Sequence, residues 1–133
     1  MDGVSLTKLK IIPTESGSVY HALKCTDDQF LGFGEAYFSE VSTSLIKGWK
    51  RHFRMNMNII VPVGEIEFVL YDGVSFETVV LSPKSYFRMS VAPGIWMAFR
   101  GMSGYNLLLN ISDIPHDPTE SESLPLDMIP YEW

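Results

Sequence analysis

The sequence predicts an all-β fold, a sandwich or barrel of short antiparallel strands. Three observations carry this. Val, Ile, Phe, Tyr and Thr recur in short runs broken by Gly, Pro, Asp and Ser, the composition of strands and their turns. Residues 65–72 alternate with a period of two: Ile66, Phe68 and Leu70 fall on one face, Glu65, Glu67 and Tyr71 on the other, with Val69 the exception. No segment sustains the 3.6-residue apolar period of a helix of useful length.

Taken in order, residues 34–41 and 45–52 read as the first clear strands. Residues 42–49 have the length for a helical turn, but Gly48 and the β-branched neighbours disfavour anything longer. Residues 55–61 form the next run, then the alternating 65–72. Asp72-Gly73 is the pair that a type I′ hairpin favours. A run over 74–81 follows and Ser82-Pro83 ends it. Runs over 86–91, 96–99 and 105–111 are separated by Ala92-Pro93-Gly94 and Met102-Ser103-Gly104. Residues 1–33 receive no assignment beyond additional strands. Residues 113–133 carry six acidic side chains and no Lys or Arg, and Pro115, Pro118, Pro125 and Pro130 argue against regular structure. The run Ile129-Pro130-Tyr131-Glu132-Trp133 ends in large aromatics, so this acidic tail is expected to dock on the body.

A chain of 133 residues is expected to form one domain, 1–133, with 113–133 as its tail. It is 46% apolar and 20% charged, which is ordinary globular usage. A net charge of −6 argues against nucleic-acid binding, which needs a basic footprint. Cys25 stands alone and excludes a disulfide scaffold. One Cys with His21, His52 and His116 fits no zinc spacing. There is no apolar stretch for a membrane span and no signal-peptide core at the start. The expectation is a soluble cytoplasmic protein.

The chemical signal is a reversal of sign. Four of the ten Lys and Arg lie within eight residues: Lys47, Lys50, Arg51 and Arg54, with His52 among them. Strand alternation would put Lys50, His52 and Arg54 on one face. That face is either the wall of a cationic pocket for a phosphate or pyrophosphate or a solvated edge guarded by lysines. Asn56 and Asn58 continue the same parity. They would hydrogen-bond a sugar or base there, or else serve strand-end turns.

The stretches Gly34-Glu35-Ala36-Tyr37-Phe38-Ser39, Ile46-Lys47-Gly48-Trp49-Lys50-Arg51-His52 and Asn58-Ile59-Ile60-Val61-Pro62-Val63-Gly64-Glu65 resemble the dTDP-4-dehydrorhamnose 3,5-epimerase family of cupins, the RmlC-like cupins. Val91-Ala92-Pro93-Gly94-Ile95-Trp96, His116-Asp117-Pro118 and the closing Ile-Pro-Tyr-Glu-Trp agree in order. The resemblance implies a double-stranded β-helix, a jelly roll paired as a homodimer. It also implies a nucleotide-sugar epimerase or isomerase of surface-polysaccharide or deoxysugar synthesis. Such an enzyme removes a proton beside the ketone of a nucleotide-linked 4-keto-6-deoxy sugar, with no cofactor and no metal. Laid on the family motif, Lys47 takes the substrate-gripping arginine's place and Lys50 that of the catalytic histidine. Glu35 and Tyr37 fall on substrate-contact positions. The family's lysine lands near Met57 and its tyrosine near Leu109. Asp127 is the candidate to orient the base. In the related sugar 3,4-ketoisomerases, His52 matches the second histidine of an Arg-Gly-x-His-x-His pattern. The resemblance therefore implies Lys50 or His52 as base, Tyr37 as acid, and Lys47, Arg51 or Arg54 on the diphosphate, with Glu35, Asn56 and Asn58 as further contacts. The alternatives are a sugar 3,4-ketoisomerase or a cupin that binds a nucleotide sugar without turning it over.

Overall fold

The computed structural model describes residues 1–133 and contains twelve strands and no α-helix. One five-stranded sheet has the order β1 (Val4–Lys8), β9 (Phe87–Val91), β6 (Met57–Val63), β11 (Leu107–Ser112), β4 (Glu35–Glu40). The other runs β12 (Ser121–Ser123), β5 (Lys47–His52), β10 (Trp96–Gly101), β7 (Ile66–Tyr71), β8 (Phe76–Leu81). A short hairpin, β2 (Ile11–Ile12) and β3 (Val19–Tyr20), stands apart. Every pairing is antiparallel. This is the jelly-roll sandwich that the resemblance implies.

The eight runs legible in the sequence are β4 to β11. Their inward positions fill the space between the sheets. Ile66, Phe68 and Leu70 of β7 meet Met57, Ile59 and Val61 of β6 in a single apolar cluster. Val69, the break in the alternation, is buried for a different reason. It faces outward from the second sheet into a separate cluster with Trp49, Trp96, Ala98 and Ile129, which the C-terminal tail covers. Pro62 is tolerated in β6 because the register against β11 shifts beside it.

Two sequence expectations need correction. The hairpin after β7 is not type I′, which requires two residues at positive φ. Only Gly73 has positive φ there, and the two-residue loop is Gly73-Val74, closed by a bond from Asp72 N to Ser75 O. Asp72 instead accepts from the Val74 and Ser75 amides, both at 2.8 Å. The tail is also more regular than its prolines suggest. Pro118 and Pro125 flank β12 rather than interrupt it, and each lies at the start of a one-turn 3-10 helix.

Trp49 is fully buried beneath the tail, and its Nε1 donates to Leu126 O at 3.2 Å. Trp49→Ala removes the anchor of this layer. The expected cost is about 3–5 kcal/mol, read as a lower midpoint in urea unfolding.

Candidate active site

Strand β5 is placed by a bulge. Lys50 pairs with Met97 of β10, but Lys47 pairs with Phe99, so Gly48 and Trp49 of β5 together oppose the single Ala98 of β10. The bulge requires Gly48: a Cβ there would stand 2.4 Å from Ala98 Cβ, and φ is +143°. The extra residue resets the parity. Lys47 joins Lys50 and His52 on the inner face, while Trp49 and Arg51 face out.

The inner face of β5 forms one wall of a cavity of about 210 Å³ between the sheets. Tyr37 and Ser39 of β4 and Asn110 of β11 line the facing wall. Met57, Ile59, Met97, Phe99 and Leu108 supply its apolar surface. Three basic side chains and no carboxylate line the space, in a chain whose net charge is −6. Lys47 Nζ is held by Ser39 Oγ at 3.1 Å and Glu40 O at 2.9 Å. Lys50 lines the same cavity with its ammonium engaged by no protein group. Tyr37 Oη accepts from Asn110 Nδ2 at 3.0 Å.

His52 is the most constrained of the set. It is 8% exposed, and its Nδ1 is hydrogen-bonded to Oε1 of the buried Glu120. Glu120 Oε2 accepts from the amides of Arg54 and Met55, both at 3.2 Å. Burial pushes the Glu120 carboxyl up, but the His52 hydrogen bond, the two amides and the His52 charge together outweigh it and hold the group below its ordinary value of 4.5. Glu120 therefore stays ionised. It fixes the imidazole's orientation and leaves Nε2 as the nitrogen free of a protein partner.

Of the residues singled out in the sequence, the structure brings Lys47, Lys50, His52 and Tyr37 into one cavity. The others lie elsewhere. Arg51 faces outward, stacked 4.7 Å over Trp96 and paired with Glu122. Arg54 lies beyond the end of β5 and pairs with Asp117 at 3.0 Å. Asn56 and Asn58 do not continue the parity of His52, because residues 53–56 turn between β5 and β6, and Met57 and Ile59 take the inward positions. Asn56 binds the Asp113 carboxylate. Asn58 accepts from Arg88 and Ser90 on the outer side of its sheet. Glu35 lies opposite Ser112 at the far end of β4, outside the cavity lining. Asp127 sits exposed on the second 3-10 turn, outside the second sheet, and it is Glu120 that stands beside the His52 imidazole. The only trace of Glu120 in the sequence is Asp117-Pro118-Thr119-Glu120, a turn-start pattern. Its meeting with His52, 68 positions away, is a product of tertiary structure.

The depressed Glu120 value has a definite sign. The stability it lends is complete above about pH 4.5 and is lost as pH falls through the lower folded value. Glu120→Gln is expected to cost about 1–3 kcal/mol at neutral pH. In thermal melts run from about pH 6 down to about pH 3, the gap between wild type and this variant should close on the acid side.

Neither the protein-family models nor the curated proteins give a match. Solved structures do. A dTDP-sugar isomerase from Desulfovibrio desulfuricans G20 is 39% identical, superposes with a TM-score of 0.93, and is matched over 99% of this chain and 91% of its own. A 3,4-ketoisomerase from Thermoanaerobacterium thermosaccharolyticum, solved with TDP-4-keto-6-deoxyglucose, is 19% identical with a TM-score of 0.82, over 92% of this chain and 88% of its own. The 3,5-epimerase RmlC from Legionella pneumophila is 18% identical with a TM-score of 0.83, over 95% and 74%. The last two share the fold.

Proposed function

The chain belongs to the RmlC-like cupin family of dTDP-sugar isomerases and epimerases, and on that premise we propose that it isomerises a nucleotide-linked 4-keto-6-deoxy sugar by enolisation. The observation that carries the reading is the His52–Glu120 pair, a buried carboxylate holding an imidazole on the wall of a cationic cavity. His52 Nε2 removes the proton from the carbon next to the ketone. Lys50, whose ammonium has no other partner, receives the negative charge that develops on the ketone oxygen. Tyr37 is on the facing sheet, so it returns a proton from the opposite side, as epimerisation requires. Lys47 is the cation left to meet the diphosphate, since Arg51 and Arg54 are engaged outside the cavity. The reaction moves protons and is redox-neutral, so these side chains can carry it without a cofactor.

We place the enzyme in the cytoplasm, in keeping with its free Cys25. No helix is long and apolar enough to cross a membrane. We also propose that it works as a homodimer. Phe38 is 65% exposed on β4, directly opposite Leu109 of β11, and Ile111 pairs with Ala36 on the same outward face. An apolar sheet face of this kind calls for a partner. Phe38→Asp should lower the mass measured by analytical ultracentrifugation from dimer to monomer.

The catalytic test is solvent exchange. The protein is incubated in deuterated water with nucleotide-linked 4-keto-6-deoxy sugars, and the C3 and C5 protons are followed by NMR. His52→Ala is expected to slow deuterium uptake by about 10²–10⁴-fold, and Lys50→Met by about 10²–10³-fold. Tight binding of one such nucleotide sugar without exchange would overturn the isomerase reading and favour a binding protein.

A further inference from the structure

Asn110 is 2% exposed, faces Tyr37 in the β11–β4 register and lines the cavity. Its amide makes one hydrogen bond, from Nδ2 to Tyr37 Oη. Its Oδ1 is buried with no partner at all. Leu108, on the same face of β11, is apolar and packs in the core. A leucine at 110 would fill similar space without burying an unpaired acceptor, which carries a desolvation cost. Packing therefore does not account for the amide, and the bond to Tyr37 does.

We propose that Asn110 is a positioning residue that fixes Tyr37 as a proton donor, an inference that rests on the reading of His52 as base and Tyr37 as acid. A phenol oxygen both donates and accepts. Asn110 Nδ2 occupies its acceptor side, so the phenol's own O–H is not drawn to Asn110 and is kept for the cavity. In the reaction, His52 Nε2 takes the carbon-bound proton and the C–H electron pair moves to the ketone oxygen as an enolate. The enolate collapses as Tyr37 Oη gives its proton to the same carbon from the other face, inverting it. Tyr37 is left as phenolate and His52 as imidazolium. Proton exchange with water restores both.

Two variants of nearly the same size test this. Asn110→Leu removes the bond, and Asn110→Asp presents only acceptors and captures the Tyr37 proton. Deuterium uptake on the His52 side and formation of the inverted sugar are measured in the same NMR experiment. Inversion is expected to fall about 10- to 100-fold, with the Asp variant the slower, while uptake falls by less than about threefold. A structural role would lower both together, and that outcome overturns the proposal. The second readout needs no turnover. The Raman doublet of Tyr37, taken as wild type minus Tyr37→Phe, reports whether the phenol accepts or donates. The expected result is an accepting phenol in the wild type, lost in Asn110→Leu and converted to a donor in Asn110→Asp. An unchanged doublet overturns the proposal. Absence of deuterium uptake in the wild type overturns the isomerase reading instead, and the doublet still decides whether Asn110 sets the polarity of Tyr37.

Discussion

The pairing of β12 with β5 is the contact on which the rest of the site depends. Ser121, Glu122 and Ser123 lie opposite His52, Arg51 and Lys50. The ladder continues at both ends: Phe53 N donates to Glu120 O at 2.7 Å, and Trp49 and Leu124 exchange both backbone bonds. That register puts Glu120 against His52 Nδ1 and, on the other side of the sheet, lays the tail over Trp49 and Trp96. One strand pair thus covers the outer apolar layer and sets the tautomer of the inner histidine. A slip of one residue would turn every β12 side chain to the wrong face.

The charge pattern follows from the same arrangement. Lys47, Lys50 and His52 line a space without carboxylates, and the one acid that touches the set approaches from behind the imidazole. A carboxylate inside the cavity would neutralise the lysines and repel an anionic ligand. Placed behind His52 and held by two backbone amides, it orients the imidazole without facing the cavity. The acidic surface of the chain and its cationic interior are therefore compatible.

Much of the fold was legible because period-two patterning is a local signal. Ile66, Phe68 and Leu70 announced their buried face, and the Gly and Pro clusters marked most strand ends. The site was legible in part. Lys50 and His52 share a face by simple alternation. Lys47 joins them only through a bulge whose signal was Gly48 and whose cause lies in Ala98 of another strand. Asn56 and Asn58 misled because parity does not survive the turn at 53–56. Glu120, Asn110 and the outward fate of Arg51 depend on contacts between strands distant in sequence. Strand β1 alternates apolar and polar residues over only five positions, with Leu6 left exposed, and β2 and β3 are two residues each, too short to carry a period.

The position of Glu120 also bears on how much chain must be closed to build the site. The His52–Glu120 contact would close a loop of 68 residues in an open chain, an entropic cost of about 3–4 kcal/mol. Once β11 is seated against β6, its end at Ser112 is already fixed, and only residues 113–119 separate it from Glu120. Closure then becomes a local event. The partner of the His52 imidazole is thus delivered by a seven-residue connection, 113–119, from a strand in the middle of the opposite sheet's pairing, and not by a free end of the chain.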